Sequence, residues 1–164
     1  MSPDLTAFYR RGGKLILYHG WSDAAVSPQN TINYYESVLK TMGDEKTRQF
    51  LRLFMVPGME HCNLGTGPCF FGQAGKGMPY DADHDVNLAI ERWVEKGIAP
   101  DTIVAFRPLA TEPNKTPGIR TRPLCTYPKV ARWKGQGSTD EAANFACVDP
   151  PAGHTAGGDA AGRD

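Results

Sequence analysis

Two short apolar runs and one stretch of helical periodicity dominate the first third of the chain. Residues 14–18 and residues 50–56 each predict a strand buried on both faces of a parallel sheet. Between them, apolar positions at helical spacing predict a helix over Pro28–Met42, with the hydroxyl of Ser27 capping its first turn and Gly43 forming a left-handed C-terminal cap. The order strand, helix, strand indicates a βαβ unit.

The second half of the chain is rich in glycine and proline, of which the whole sequence holds 18 and 13. Residues 57–85 show no clear periodicity, and a loop of that length in a compact domain is usually functional, so this segment is expected to line a site. A second helix is predicted from Asp85, its N-cap, to Gly97, and residues 102–106 predict the last strand. The remainder is expected to be mostly loop.

Composition and charge exclude several classes of function. The 164 residues correspond to one domain, and 18 Lys+Arg offset 18 Asp+Glu. Zero net charge argues against nucleic acid or an anionic membrane as a partner, because both are bound through positive charge. No apolar run approaches the roughly 20 residues that span a bilayer, and residues 1–11 lack the apolar core of a signal peptide, so no export signal is expected in this chain.

A basic and aromatic stretch over residues 115–134 leaves two interpretations open. It could bind RNA or single-stranded DNA through stacking and charge. Its prolines and the nearby Cys125 and Cys147 favour instead a surface extension stapled by a disulfide.

The cysteines point to disulfides rather than to zinc. No two of the four are arranged as Cys-x-x-Cys, the usual close pair of a structural zinc site. Disulfides imply an oxidising compartment, which conflicts with the missing export signal unless the chain is a piece of something longer. A zinc site is the alternative, but the spacing of its candidate ligands matches no common pattern. Those ligands are His61, Cys62, Cys69 and His84.

An acid and a base are predicted at one edge of the sheet. Asp23 follows the first strand by five residues and His61 follows the second by five, and ligand sites form beyond the carboxyl ends of parallel strands. An aspartate that accepts from one imidazole nitrogen leaves the other nitrogen as a general base, and the order Asp then His is that of α/β-hydrolases. The alternative is that Asp23 caps a turn and His61 is an ordinary loop histidine.

No residue is a convincing nucleophile. Ser22 lies in Gly-Trp-Ser-Asp-Ala, which differs from the Gly-x-Ser-x-Gly elbow by the alanine at its last position. In an elbow a helix follows the serine directly, whereas here the predicted helix begins only at Pro28. Cys62 is adjacent to His61, but neighbouring side chains in an extended loop point in different directions. The chain is therefore expected to hold two members of a triad without the third.

Three aspartates at alternate positions have the spacing of the first ligands in a calcium-binding loop. The sixth position of that loop is Val86 rather than glycine and the twelfth is Arg92 rather than glutamate, so helix capping and solvation explain the acidic residues better. The aspartates are Asp81, Asp83 and Asp85.

A resemblance runs through four blocks of residues 3–149 that occur in one order. The chain resembles the C-terminal part of the tannase and feruloyl esterase family, whose members are secreted α/β-hydrolases that cleave esters of aromatic acids such as gallate and ferulate; relatives cleave a terephthalate monoester. The blocks are GGKLILYHGWSDAAVSPQNTINYY, LFMVPGMEHC, IERWVEKGIAPDTIVA and RTRPLCTYPKVARWKGQGSTDEAANFACV.

The resemblance implies roles for five residues. It places the catalytic acid on Asp23, the catalytic histidine on His61, and a disulfide between Cys125 and Cys147. The family joins the cysteine after its histidine to a cysteine before its nucleophilic serine; Cys62 matches the first and nothing here matches the second. Cys62 is therefore expected to be an odd thiol, reactive or mispaired with Cys69.

The resemblance also implies what this chain lacks. The serine elbow, the oxyanion hole and the lid domain with its calcium and aromatic pocket are absent, so no cofactor is expected and the chain is expected to be a fragment. Residues 1–149 are expected to form the C-terminal portion of an α/β-hydrolase, an incomplete parallel sheet with flanking helices and a loop-rich, disulfide-stapled extension. Residues 150–164 are expected to be a disordered tail.

Two functions from different classes remain open. The first is a piece of a serine esterase that acts on small aromatic esters, in which Asp23 and His61 serve a serine in the missing N-terminal half, and this chain alone is inactive. The second is a non-catalytic binding module derived from the hydrolase fold. The parent protein is expected to be secreted or periplasmic.

Overall fold

The computed structural model of the protein describes residues 1–109 and 118–151. The predicted tail therefore falls largely outside the described residues. Within them, no helix is long and apolar enough to cross a membrane. In chain order the elements are α1 (Thr6–Arg10), β1 (Leu15–Gly20), α2 (Pro28–Met42), α3 (Asp44–Arg48), β2 (Leu51–Val56), α4 (Val86–Lys96), β3 (Thr102–Pro108), β4 (Ile119–Cys125), β5 (Val130–Trp133), a 3-10 turn (Ala142–Asn144) and β6 (Phe145–Val148).

The strands β1 and β2 pair in parallel, so their carboxyl ends lie side by side. The register runs from Leu15 opposite Leu51 to Gly20 opposite Val56. The strand β2 is almost wholly buried, whereas β1 is half-buried along most of its length. The prediction that β1 is buried on both faces is thus wrong for this chain, because within the described residues β1 pairs with β2 alone.

The helix α2 forms as predicted and packs one face against the parallel pair. Its buried residues join those of β2 in one apolar cluster, which supplies the hydrophobic free energy for holding the helix on the sheet. The helix members of the cluster are Ile32, Tyr35, Val38 and Met42.

Both predicted caps of α2 differ from expectation. The side chain of Ser27 makes no capping hydrogen bond; instead its carbonyl oxygen accepts from the N–H of Asn30 at 3.0 Å, and Pro28 at the first position has no N–H to satisfy. Gly43 has φ +83° and ψ +146°, a conformation that favours glycine but is not the left-handed helical one. The chain turns there directly into α3.

The segment before α4 ends in a buried carboxylate that caps the helix. Asp85 is 1% exposed, and its Oδ1 accepts from the backbone N–H groups of Asn87 at 2.9 Å and Leu88 at 3.4 Å. Its Oδ2 accepts from the N–H of Gly77 at 2.7 Å. Gly97 ends the helix in the left-handed conformation. Both predicted ends of this helix are confirmed.

Three strands follow β3 in the part of the chain that the structure describes, so the prediction that residues 102–106 are the last strand is wrong. The strands β3 and β4 pair antiparallel, as do β5 and β6. Their sequences hide the strand pattern: Pro123 sits inside β4, arginines alternate along it, and most of its residues are only half-buried. The extension therefore contains two strand pairs with loop segments between the strands.

One disulfide ties this extension together. Cys125 at the end of β4 bonds to Cys147 in β6, with 5.6 Å between their Cα atoms, and this prediction is confirmed. Cys62 is exposed and Cys69 is fully buried, and both are free, so they do not pair with each other.

We expect the disulfide to contribute on the order of 3 kcal/mol, because it closes a loop with a sequence separation of 22 in the unfolded chain. The double change Cys125→Ala with Cys147→Ala should lower the free energy of unfolding by about this amount in urea. Cys62→Ala, which alters an exposed thiol, is the matched control. Equal stability of the double variant and the control would contradict the assignment.

A second pair of variants tests the helix caps. Asp85→Ala should cost at least about 2 kcal/mol of unfolding free energy, since it removes three acceptor contacts from a buried site. Ser27→Ala should change stability little, because that hydroxyl caps nothing. Thermal unfolding of both chains measures the difference, and a larger loss at Ser27 would show that the caps are misassigned.

Candidate active site

The loops that follow β1 and β2 are held together at a close backbone approach. A Cβ atom on Gly20 would lie 2.2 Å from the carbonyl oxygen of Met59, so only glycine fits there. On either side, Trp21 donates its N–H to the Val56 carbonyl and Ser22 donates its N–H to the Met59 carbonyl, both at 3.0 Å. The two loops therefore leave the sheet in contact.

Asp23 and His61 meet at this edge. The Oδ2 atom of Asp23 lies 2.8 Å from Nδ1 of His61. The Asp23 side chain is 2% exposed and the His61 side chain is 57% exposed. The buried carboxylate is thus positioned to orient an imidazole that faces solvent, which is the arrangement expected from the spacing of the two residues.

The loop between β1 and α2 wraps around the Asp23 carboxylate. Its Oδ1 atom accepts from the backbone N–H groups of Ala25 at 2.8 Å and Val26 at 2.9 Å. Burial raises the pKa of Asp23, but the bonds from Val26, His61 and Ala25 outweigh it and lower that pKa to about 2. The carboxylate therefore stays ionised at neutral pH.

The contact fixes which nitrogen of His61 is available for chemistry. Because Nδ1 faces an ionised carboxylate, it carries the hydrogen and donates it, and Nε2 of the neutral ring is left with a lone pair. Within the described residues the side-chain hydrogen bonds of His61 are limited to Asp23. The Nε2 atom can accept a proton from a group that enters from solvent.

A second histidine, which the sequence analysis did not single out, also contacts Asp23. The Nε2 atom of His19 lies 3.1 Å from Oδ2 of Asp23 and 3.1 Å from the Val26 carbonyl oxygen. Its Nδ1 atom lies 2.7 Å from the Thr31 hydroxyl on α2. The sequence contained a signal for this contact: His19 lies at the end of β1 and precedes Asp23, in the following loop, by four residues.

The serines do not complete a triad. Ser22 is exposed, its side chain makes no hydrogen bond within the described residues, and five residues separate it from the first residue of α2. All serines of the chain fall inside the described ranges, and no serine hydroxyl there bonds to His61.

The loop that carries His61 adopts a conformation that is uncommon for its residues. Cys62 and Leu64 have φ values of +64° and +60°, a region that residues other than glycine seldom occupy. Cys62 follows the histidine directly and lines the same small recess as Tyr18 and Met59. Burial, and then the nearby thiol of Cys62, raise the pKa of Tyr18.

The recess beside the pair is small, with a volume of about 100 Å³. Pockets for drug-sized ligands have volumes of roughly 300–1,000 Å³. A larger cavity of about 380 Å³ lies along β1, between Lys14 and Ile90, and neither Asp23 nor His61 lines it. The recess beside Asp23 and His61 is therefore smaller than the volume that a drug-sized ligand needs.

The other acidic and zinc candidates have structural explanations. Asp81 accepts from His84 at 2.7 Å and from the N–H of Asp83, and Asp85 caps α4. Across residues 1–109 and 118–151, no group of three or more His, Cys, Asp or Glu side chains is placed to hold a metal ion.

Comparison with known proteins identifies one family and several similar chains. Residues 1–148 match the family described as tannase and feruloyl esterase. The chain is 46% identical over 166 residues to an uncharacterized esterase of Xanthomonas campestris pv. campestris, which covers 93% of this chain and 29% of the relative. It is 45% identical over 155 residues to mono(2-hydroxyethyl) terephthalate hydrolase of Piscinibacter sakaiensis, covering 92% of this chain and 22% of the relative.

A solved structure shows the same fold. The crystal structure of feruloyl esterase B from Aspergillus oryzae superposes with a TM-score of 0.76 at 34% identity, covering 90% of this chain and 29% of that one. The chain thus spans less than a third of the length of the curated and solved relatives it matches.

We expect the lowered pKa of Asp23 to appear in the acid stability of the protein. Because the pKa in the folded state lies below the ordinary value of 3.8, the ionised carboxylate stabilises the fold above pH 3.8. That stability is lost as the pH falls through the window from about 4 to about 2. Asp23→Asn should therefore flatten the fall of unfolding free energy in this window.

The control for this experiment is Asp44→Asn, which alters a side chain that is 70% exposed. Hydrogen bonds from Thr6 and His84 also lower the pKa values of Asp4 and Asp81, so the wild-type slope does not vanish in either variant. Urea unfolding at several pH values measures the slopes. Identical slopes for Asp23→Asn and the wild type would contradict the assignment.

Proposed function

The chain belongs to the tannase and feruloyl esterase family, and we propose that Asp23 and His61 are the acid and the base of a Ser-His-Asp triad that hydrolyses esters of aromatic carboxylic acids. Members of the family are carboxylic ester hydrolases. The observation that carries the proposal is the 2.8 Å contact between the buried carboxylate of Asp23 and Nδ1 of the exposed His61.

The nucleophilic serine in this proposal comes from residues outside the chain. The relatives are more than three times as long as the segment they share with this protein, which leaves ample chain for a nucleophile. The half-buried β1 offers an edge that is unpaired within the described residues, where a further strand of the sheet would bring such a residue to the same end. Oxyanion donors would come from the same additional chain.

The reaction follows from the orientation of His61. Its Nε2 atom takes the proton of the serine hydroxyl as the serine oxygen attacks the ester carbonyl, and the ring becomes a cation beside the Asp23 carboxylate. The same nitrogen returns the proton to the departing alcohol, which leaves an acyl-enzyme. Water then attacks the acyl group, His61 again takes and returns a proton, and the carboxylic acid is released.

The substrate class rests on the names of the relatives. One relative is named as a hydrolase of mono(2-hydroxyethyl) terephthalate, several are named as probable feruloyl esterases, and one solved neighbour is a tannin acyl hydrolase from Aspergillus niger. Terephthalate, ferulate and gallate each have an aromatic ring joined to the carboxyl group, directly or, in ferulate, through a vinyl group. An aromatic acyl group is therefore the feature we propose that the complete enzyme selects.

An extracellular or periplasmic location is part of the proposal. The Cys125–Cys147 disulfide supports it, because such bonds persist in oxidising compartments and are rare in the cytosol.

We expect the 164-residue chain to leave methyl ferulate and methyl gallate unhydrolysed, and a chain extended by the missing N-terminal part to cleave at least one of them. In the extended enzyme, His61→Ala should lower kcat by about four orders of magnitude or more, since triad members act as a unit. Asp23→Asn should also lower kcat strongly, but by a smaller factor than His61→Ala. Initial rates of acid release, measured at saturating ester, give these values.

The matched control is His84→Ala, because His84 also pairs with an aspartate but lies outside the site. Turnover by the short chain that Ser22→Ala abolishes would show that the nucleophile is Ser22. An extended chain that binds aromatic esters without cleaving them would favour a binding module instead.

A further inference from the structure

The Asp23 carboxylate is saturated with donors, and one of them is His19. The backbone N–H groups of Ala25 and Val26 occupy Oδ1, and the rings of His61 and His19 both reach Oδ2. An ionised carboxylate offers about four lone-pair sites, so these four contacts leave none for water. Donors on both oxygens fix the rotation of the carboxylate about its Cβ–Cγ bond.

The surroundings of His19 determine its role in this network. Its Nε2 atom faces two acceptors, Oδ2 of Asp23 and the carbonyl oxygen of Val26, each at 3.1 Å, and therefore carries a hydrogen. In the neutral ring Nδ1 then accepts from the Thr31 hydroxyl at 2.7 Å. The side chain is only 11% exposed, so its contacts are made with protein groups rather than with water.

The same histidine holds the loop that carries Asp23. It reaches from the end of β1 across the loop to Val26 and on to Thr31 in the first turns of α2. The hydroxyl of Ser27, which was expected to secure the start of this helix, makes no capping bond. His19 is thus the side chain that joins the strand, the loop and the helix.

We propose that His19 is a positioning residue that keeps Oδ2 of Asp23 directed at Nδ1 of His61. This inference rests on the proposed function, in which Asp23 orients the catalytic base. His19 touches neither a substrate nor the reacting nitrogen of His61; it acts through the carboxylate. Without its donor, Oδ2 would gain a free lone-pair site and the carboxylate could turn towards water.

Two substitutions of His19 test whether the hydrogen-bond donor at the Nε2 position matters, rather than the imidazole ring as a whole. His19→Gln places an amide N–H near the position of Nε2 and should keep the bond to Asp23. His19→Asn is shorter, retains a polar group near Nδ1 and Thr31, and should lose that bond. His84→Asn is the control, because His84 also contacts an aspartate, at 2.7 Å, but lies outside the site.

The test uses ring-nitrogen and carboxyl NMR on the 164-residue chain, which needs no catalytic serine. In the wild type, His61 should show a protected Nδ1–H resonance. His19→Asn should speed the exchange of this proton with water by about tenfold or more. It should also raise the pKa of Asp23, because the charged form of the carboxylate loses the donor that lies 3.1 Å from its Oδ2 atom. His19→Gln and the control should resemble the wild type.

A purely structural role for His19 would change thermal stability without changing these two signals. Unchanged signals in His19→Asn would overturn the inference, as would equal losses in His19→Asn and His19→Gln. If His19→Asn fails to fold, Thr31→Val removes the hydroxyl that holds Nδ1 and should speed the same exchange by a smaller factor; an unchanged rate would then overturn the inference. A wild type with no protected His61 proton would contradict the proposed function itself.

Discussion

The site depends on the close approach between Gly20 and the backbone at Met59. Two parallel strands end side by side there, and hydrogen bonds from Trp21 and Ser22 hold the loop after β1 against the loop after β2. A side chain at position 20 would collide with the Met59 carbonyl oxygen and force the loops apart. Glycine at position 20 therefore permits the close approach that brings the loops of Asp23 and His61 into contact.

The acid and the base are placed in different environments, and this difference suits their proposed roles. Asp23 is buried but receives enough hydrogen bonds to remain ionised, so it offers a fixed negative charge at a fixed angle. His61 is 57% exposed and contacts Asp23 through Nδ1, so its second nitrogen is left for a substrate or a nucleophile. General base catalysis needs both features: a fixed carboxylate that orients the imidazole, and an imidazole nitrogen that a reacting group can reach.

The elements with strong local signals could be predicted from the sequence, and those formed by tertiary contacts could not. The apolar runs of β1 and β2, the apolar face of α2 and the Asp85 cap of α4 follow from spacing and side-chain chemistry. The strand β4 was missed because its arginines and Pro123 obscure the strand pattern, and its pairing with β3 decides its conformation. His19 was passed over because its importance lies in three contacts that the fold brings together.

The central claim is that His61 serves a serine supplied by additional chain, and a trapped intermediate analogue tests it most directly. An extended chain inactivated by an organophosphonate ester should yield a crystal structure with the phosphonyl group on a serine outside residues 1–164. In that structure Nε2 of His61 should lie at hydrogen-bond distance, about 2.6–3.2 Å, from the serine oxygen or from an oxygen that remains on phosphorus. A phosphonyl group on Ser22, or a His61 ring turned away from the adduct, would contradict the account.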